Sequence, residues 1–159
     1  MNWMMRELTR MGRGDVAFLL ASNKTYPSYG YMIEKGATAI WELWNGDTAN
    51  RWMNSCNHVM ILGDLLTWYF RDLAGFNPAQ PAYKQIILKP DFSIQELSHV
   101  KASHNTLYGK MISNWKKTLT HLEWDITVPC NTTALVYLPT LDEKAVKDKD
   151  VTFVRREGN

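Results

Sequence analysis

One stretch of the sequence places a carboxylate between two of the largest apolar side chains. Residues 36–46 read GATAIWELWNG, so that Glu42 directly follows Trp41 and lies two positions before Trp44. Flat indole faces that each carry one polar N–H suit the apolar side of a sugar ring. Either the three residues line a site, or the indoles pack while Glu42 points to water.

Tryptophan is the residue type in clear excess. The chain has seven tryptophans in 159 residues, and four of them lie between residues 41 and 68. Indole rings pack against sugars and also fill ordinary cores. The excess therefore favours a carbohydrate ligand without excluding a structural role.

Other function classes lack their usual sequence signals. The net charge is +2 and the basic residues are scattered, which gives no footprint for a nucleic-acid partner. The four histidines and two cysteines show no HxxxH or CxxC spacing, so neither a metal site nor a cofactor is predicted. No GxGxxG, GxxxxGK[ST] or GxSxG motif occurs. These absences argue against nucleotide binding and serine hydrolase chemistry.

The composition predicts a folded chain without a membrane anchor. Hydrophobic residues make up 45%, enough for a packed core. The longest apolar run, VAFLLA at 16–21, is far shorter than the ~20 residues of a spanning helix. Cys56 and Cys130 are expected to be unpaired thiols in the core, although a disulfide stays open.

The elements that must hold Glu42 follow from the hydrophobic period. Before Pro78 the apolar residues recur at three- and four-residue steps, which is typical of helices. Helices are predicted at 1–12, at 13–23 with Asp15 as start signal, at 36–44, and at 54–75, with a loop at 25–36. On the third helix Glu42 would align with Thr38 and Asn45, a polar strip that is either a wet face or a lined pocket.

After Pro81 the period drops to two. In LEWDITV, the apolar residues Leu122, Trp124, Ile126 and Val128 alternate with polar ones. Further strands are predicted at 84–89, 106–115, 133–138 and 151–156, with turns at 103–106 and 129–131. The sequence therefore predicts two adjoining domains, a helical one at 1–77 and a small antiparallel β-sandwich at 81–159, which looks truncated at its end.

Two long motifs resemble a known family. TYPSYGYMIEKGATAIWELWNG and NSCNHVMILGDLLTWYFRDLAGF are similar to the C-terminal part of the bacterial α-L-rhamnosidases of glycoside hydrolase family 78. The family pattern there reads YPSWGYMI, GATTIWERWDG and SxNHYAFGSVGEWLYR. The resemblance implies the last helices of an (α/α)6 barrel followed by a small antiparallel β-sandwich. It also implies an inverting hydrolase that releases terminal L-rhamnose from an oligosaccharide or glycoside.

The resemblance assigns the catalytic base. An inverting glycosidase needs a general acid and a general base about 6.5–9.5 Å apart, with a water beside the base. The glutamate of the IWE motif maps onto Glu42 as the base. The histidine of the SxNH motif maps onto His58, which would contact sugar hydroxyls. The structural alternative for His58 is a histidine at a helix start that a nearby backbone group satisfies.

Aromatic residues complete the predicted binding wall. Trp41 and Trp44 are assigned to the substrate-binding wall, where they pack and hold Glu42 in place. Tyr31, and more weakly Tyr29, are candidates for substrate contact. A packed tyrosine in a loop is the alternative for both.

The sequence departs from the family pattern at several positions. Asn45 replaces the aspartate of WDG, Leu43 replaces the charged residue of WER, and the 15 residues between Glu42 and His58 are fewer than the pattern has. No carboxylate in residues 1–29 matches the family's general acid. The acid is therefore expected upstream, in a longer protein of which this chain is a C-terminal fragment that is inactive alone.

Three expectations about partners and alternatives follow. Part of a barrel would expose its inner apolar face, which predicts self-association. Any export signal would lie upstream, which leaves cytoplasmic and exported locations open. The alternative functions are a non-catalytic carbohydrate-binding or structural remnant, and another (α/α)6 glycosidase or lyase with a different sugar preference.

Overall fold

The computed structural model describes residues 4–139, and the structural statements below concern this part of the chain. Helices come first and strands follow, as predicted. The helices are α1 Met4–Arg10, α2 Gly14–Ser22, α3 Tyr29–Glu34 and α4 Val59–Trp68, which a π-helical turn, Tyr69–Leu73, continues. Within the described range, no helix has both the length and the apolar character needed to cross a membrane.

The helix α3 occupies part of the predicted loop at 25–36, so that prediction was wrong there. Its N-cap is Ser28, whose hydroxyl oxygen accepts a hydrogen bond from the backbone N–H of Tyr31 at 2.8 Å. Such a cap satisfies an N–H that the first helical turn cannot pair internally. Pro27 and Gly30 obscured this start signal in the sequence.

The predicted helix at 36–44 does not form, and the prediction of a polar strip along it was wrong. The backbone there pairs with a distant stretch instead. The N–H of Glu42 donates to the carbonyl of Ser55 at 2.9 Å, and the N–H of His58 donates to the carbonyl of Ile40 at 2.7 Å. The two stretches that we call the paired segments are residues 40–42 and 55–58. Hydrogen bonds across the paired segments replace the helical bonds that the local pattern predicted.

The starts of two helices differ from their predicted positions. α4 begins after His58 as N-cap, not at Asn54 or Ser55. In α2, Asp15 lies inside the first turn and pairs with the guanidinium of Arg13 at 3.0 Å instead of capping the helix. The observed helix starts differ from the predicted ones by only a few residues, because the spacing of the apolar residues predicted the buried faces of both helices correctly.

The second half contains two three-stranded sheets. The first has the strand order β1-β2-β6 and the second the order β3-β4-β5. The strands are β1 Phe76–Pro78, β2 Gln85–Leu88, β3 His99–Thr106, β4 Gly109–Lys117, β5 Leu122–Thr127 and β6 Thr133–Val136, with a 3₁₀ turn at Pro81–Tyr83. All neighbours are antiparallel except β2 and β6, which are parallel. The strand predicted at 151–156 lies outside the described residues.

The strand predicted at 106–115 is the end of one strand and most of the next. The predicted turn at 103–106 belongs to β3, and the chain reverses at the following two residues. There the hydroxyl of Thr106 accepts from the N–H of Tyr108 at 3.1 Å and donates to the carbonyl of Gly109 at 2.9 Å. This side-chain-stabilised turn fixes the register of the hairpin.

The two sheets share a core, which is separate from the buried core of the helices. Side chains from both sheets, including Phe76, Ile86 and Met111, form one buried cluster. At the junction the hydroxyl of Ser113 donates to the carbonyl of Ala74 at 2.7 Å, deep in the protein. The division at residues 77 and 81 stays a prediction.

The two cysteines are unpaired, as expected, but both are exposed. Their predicted place in the core was wrong. Cys56 lies in the loop just before α4, and Cys130 lies in the turn between β5 and β6. Neither position is on the buried face of a helix or strand.

Candidate active site

The carboxylate of Glu42, in one of the paired segments, is held by the backbone of Ser55 in the other. Its Oε2 atom accepts a hydrogen bond from the N–H of Ser55 at 2.9 Å. The N–H of Glu42 itself donates to the carbonyl of Ser55, also at 2.9 Å. Two opposed hydrogen bonds therefore join these residues, one through the backbone and one through the side chain.

Glu42 lines a small surface cavity with aromatic walls. The cavity has a volume of about 10 Å³, far below the ~300–1,000 Å³ of typical ligand pockets. Its lining residues are Tyr29, Met32, Trp41, Glu42, Trp44 and Ile61. The lining thus joins the predicted base to both predicted tryptophans, with Glu42 as its one carboxylate. A cavity of this size has room for about one water molecule.

The aromatic walls are tightly packed. Trp41 is only 8% exposed, and the rings of Tyr29 and Trp44 meet edge to face with centroids 4.9 Å apart. Burial raises the pKa of Tyr29 to about 12, helped by the nearby Asp64 and Tyr69. The Tyr29 hydroxyl therefore stays protonated at neutral pH.

The sequence underrated Tyr29, which was only a weak candidate. Tyr29 begins α3, and the loop predicted there gave no reason to turn this side chain toward the indoles. The capping signal of Ser28 was the feature that could have revealed it. Met32 and Ile61 lie on the same cavity and had no sequence signal beyond their apolar character.

His58 lies beside the cavity and is not part of its lining. It is the N-cap of α4, and its Nδ1 accepts a long hydrogen bond of 3.4 Å from the backbone N–H of Ile61. This contact is the structural alternative that the sequence left open. Because Nδ1 accepts, the neutral ring carries its proton on Nε2, which remains a donor. The predicted contact between His58 and a sugar stays a prediction.

Tyr31 is also outside the lining. Its hydroxyl donates to the carboxylate of Asp47 at 3.0 Å, and the Nζ atom of Lys35 lies 5.5 Å from its ring centroid. Asp47 supplies a carboxylate two positions after Asn45, where the family pattern has an acid. Substrate contact by Tyr31 stays a prediction.

A buried carboxylate on α4 was missed by the sequence reasoning. Asp64 is only 5% exposed, and its Oδ1 has no hydrogen-bond partner among residues 4–139. Burial raises the pKa of Asp64, while the positive charge of Arg6 opposes that rise. The signal was one acidic residue inside the apolar run VMILGDLLTW. In this part of the chain no three His, Cys, Asp or Glu side chains group as a metal site requires.

Two family models match nearly the whole chain. The model of the bacterial alpha-L-rhamnosidase 6 hairpin glycosidase domain matches residues 1–73. The model of the bacterial alpha-L-rhamnosidase C-terminal domain matches residues 75–153. Among curated proteins, an alpha-L-rhamnosidase of Streptomyces avermitilis is 34% identical over 155 residues, which is 94% of this chain and 15% of that protein. An alpha-L-rhamnosidase of Formosa agariphila is 34% identical over 151 residues, 92% of this chain and 16% of its own length.

Solved structures agree with these matches. The crystal structure of the Streptomyces avermitilis alpha-L-rhamnosidase complexed with L-rhamnose has a TM-score of 0.84 and 33% identity, covering 96% of this chain and 15% of that one. The structure of the alpha-L-rhamnosidase from Dictyoglumus thermophilum has a TM-score of 0.78 and 39% identity. The match covers 89% of this chain and 16% of that chain. The matches confirm the predicted resemblance and fold class. The chain spans about 15% of the length of the first of these relatives.

Proposed function

Because the chain belongs to the bacterial alpha-L-rhamnosidase family, we propose that it forms the base-carrying wall of an inverting hydrolase of terminal α-L-rhamnosyl residues. The relatives named above are glycoside hydrolases by name. One observation carries the proposal: Glu42 is a lining residue of an aromatic cavity, and one of its carboxylate oxygens is held by a backbone N–H. Its substrates are rhamnose-containing oligosaccharides or glycosides.

In the proposed step Glu42 activates a water molecule. The carboxylate accepts a proton from the water as its oxygen attacks the anomeric carbon of the rhamnosyl residue. The bond between that carbon and the glycosidic oxygen breaks on the opposite face. The product is rhamnose with inverted configuration at the anomeric carbon.

The leaving oxygen needs a proton from a second carboxylic acid. In inverting enzymes this acid lies about 6.5–9.5 Å from the base, and the cavity lining contains Glu42 alone among carboxylates. We place the acid in a part of the six-hairpin domain that this chain does not contain. The chain alone is then expected not to turn over.

The other proposed contacts hold the sugar. Trp41 and Trp44 supply the apolar wall, and the protonated hydroxyl of Tyr29 supplies a donor. His58 would add a second donor through Nε2, since its Nδ1 is engaged by the backbone of Ile61. These donors suit sugar hydroxyls, which accept as well as donate hydrogen bonds.

A chimaeric enzyme tests the base assignment. This chain replaces the matching C-terminal segment of the Streptomyces avermitilis relative, and hydrolysis of an aryl α-L-rhamnoside is measured. Glu42→Gln is expected to lower kcat by about 10²–10⁴-fold, the usual range for a lost general base. Glu34→Gln removes an exposed carboxylate of α3 and is expected to leave kcat unchanged.

Two further readouts complete the test. Proton NMR of the first product is expected to show inverted anomeric configuration. Added azide is expected to restore turnover of Glu42→Gly, because azide attacks without needing its own proton removed. Normal turnover of Glu42→Gln, or hydrolysis by the unfused chain, would contradict the corresponding part of the proposal.

A second candidate function, sugar binding without hydrolysis, is supported by the single carboxylate on the cavity. It requires that the chain bind L-rhamnose. It also requires that no added segment of a rhamnosidase give the chain hydrolytic activity. Titration calorimetry with L-rhamnose tests this function, with Trp44→Ala as the matched variant. An absence of heat at millimolar sugar removes the binding function.

We also propose that the exposed apolar side chains of α4, which the incomplete barrel leaves uncovered, mediate self-association. Val59 and Met60 are 71% and 62% exposed, and Leu62 and Leu66 add further exposed apolar surface. Contiguous exposed apolar patches promote association. In sedimentation velocity, Met60→Glu is expected to reduce association, and Leu119→Glu, in a turn of the second sheet, is expected to leave it unchanged. A monomer at every concentration would contradict the proposal.

A further inference from the structure

We propose that the backbone N–H of Ser55 is a positioning group for the reaction, because it fixes the orientation of the Glu42 carboxylate. The proposal rests on the proposed role of Glu42 as general base. The functional group of Ser55 is its main-chain N–H. A sequence motif is defined by side chains and therefore does not reveal this function.

The geometry closes a small ring between the two residues. The N–H of Glu42 donates to the carbonyl of Ser55, and the N–H of Ser55 donates to Oε2 of Glu42, each at 2.9 Å. The Glu42 side chain is therefore folded back onto the same residue that its own backbone contacts. A side chain held at both ends in this way loses most of its rotational freedom.

The ring makes the two carboxylate oxygens different. Oε2 is engaged by Ser55, whereas Oε1 accepts no hydrogen bond from any residue between 4 and 139. Oε1 is therefore the oxygen left to accept a proton from an attacking water. Misplacing a catalytic group by about 1 Å can lower a rate by about 10²-fold. The single hydrogen bond that fixes this oxygen is therefore expected to have a large effect on the rate.

The neighbouring contacts keep Ser55 itself in place. The bond from the His58 N–H to the Ile40 carbonyl, at 2.7 Å, holds the far end of the paired segments. The Ser55 hydroxyl accepts from the N–H of Asn57 at 3.1 Å, which shapes the turn into α4. The side chain and the main chain of Ser55 thus make separate contacts and can be removed separately.

The contact is tested first on this chain by NMR. The Ser55 amide proton is expected to shift upfield on acidification, as protonation of the Glu42 carboxylate weakens the hydrogen bond. Glu42→Gln is expected to abolish this pH-dependent shift, and Glu34→Gln is expected to retain it. A Ser55 amide that does not respond to the ionisation of Glu42 overturns the proposal.

The catalytic consequence is tested in the chimaeric enzyme. Ser55→Pro removes the N–H, and Ser55→Ala removes only the hydroxyl. Ser55→Pro is expected to lower kcat by about 10²-fold with little change in KM. Ser55→Ala keeps the N–H and loses only the hydroxyl contact with Asn57, so it is expected to lower kcat by less than Ser55→Pro. Azide is expected to restore part of the turnover of Ser55→Pro, which a merely structural defect would not allow.

The outcomes separate this proposal from the function on which it rests. If Glu42→Gln keeps normal turnover, the base assignment fails whatever Ser55 does. If Glu42→Gln is inactive and Ser55→Pro turns over normally, only the role of Ser55 fails. Should circular dichroism show that Ser55→Pro unfolds, an α-hydroxy acid at position 55 removes the N–H alone, and its kcat decides.

Discussion

Gly46 lies against the face of the Trp41 indole, so closely that a Cβ atom at Gly46 would be 2.6 Å from Cδ2 of the ring. Real Cβ atoms essentially never approach a neighbour within 3.0 Å. Trp41 is buried and precedes Glu42 directly. The absence of a side chain at Gly46 therefore lets the loop close over the indole that borders the cavity.

Gly46→Ala is expected to destabilise the protein and weaken sugar binding. The added methyl group must displace Trp41, and overpacking of this kind typically costs about 1–3 kcal/mol. Urea unfolding gives the free energy and calorimetry gives the affinity. Gly63→Ala is the control, since nothing lies within 4 Å of its Cβ, and in α4 it is expected to stabilise by about 0.5–1 kcal/mol. Equal behaviour of the two variants would refute the contact.

Removing Arg6 is expected to destabilise the helical half strongly. The guanidinium Nε of Arg6 donates to Oδ2 of Asp72 at 2.9 Å, and the two side chains are only 15% and 13% exposed. Breaking a buried pair on one side costs about 3–5 kcal/mol, because it leaves a charge without its partner. The Arg10–Glu7 pair is exposed, so Arg10→Met is expected to change stability by less than about 1 kcal/mol. Urea unfolding distinguishes the two, and a small effect of Arg6→Met would contradict the assignment.

Asp64 is expected to make stability fall as pH rises. Burial raises the pKa of Asp64 in the folded state above the ordinary value of 3.8, so the folded protein holds the proton more tightly than the unfolded chain. Its contribution is full below pH 3.8 and is lost as pH rises through the folded-state pKa. Asp64→Asn removes this loss and is expected to be more stable than the unsubstituted chain at pH 7.

Unfolding free energies measured over a range of pH distinguish an effect of the Asp64 charge from an effect of its packing. Unfolding free energies of Asp64→Asn and the unsubstituted chain are expected to converge at acid pH and to diverge as pH rises. Asp125→Asn, exposed on β5, serves as the control. A constant difference across the pH range would mean that packing, not ionisation, causes the effect.

Ser113 is expected to couple the helical half to the sheets. Its hydroxyl donates to the Ala74 carbonyl at 2.7 Å and accepts from Nε1 of Trp124 at 2.9 Å. Ser113→Ala leaves both buried groups unpaired, which costs about 1–3 kcal/mol for each such group. Ser103→Ala, exposed on β3, is expected to be neutral. Thermal unfolding followed at both halves checks this, and an unchanged midpoint for Ser113→Ala would count against it.

Local pattern was enough for most of the architecture. The alternation in LEWDITV recurs as alternating burial along β5, and the helical period located α1, α2 and α4. These elements present one apolar face to a core, so short-range spacing carries the information. The sequence motif around Glu42 also led to the residues that border the cavity, Trp41 and Trp44.

The remainder depends on contacts between distant residues. The stretch around Glu42 has a helical spacing of apolar residues, but its hydrogen bonds go to Ser55 and His58, 13 or more positions away. Nothing in the local sequence indicates that pairing. Tyr29 was undervalued for a related reason, because its contact with Trp44 joins two elements that the sequence treats separately.

The paired segments fix the positions of both ends of the loop at residues 43–54. Its two ends are joined beside Glu42 and Ser55, so residues can be added to or deleted from its middle without altering the spacing between Glu42 and the start of α4. Surface loops anchored in this way tolerate changes in length. A change in the length of this loop is therefore expected to leave the position of Glu42 relative to α4 unchanged.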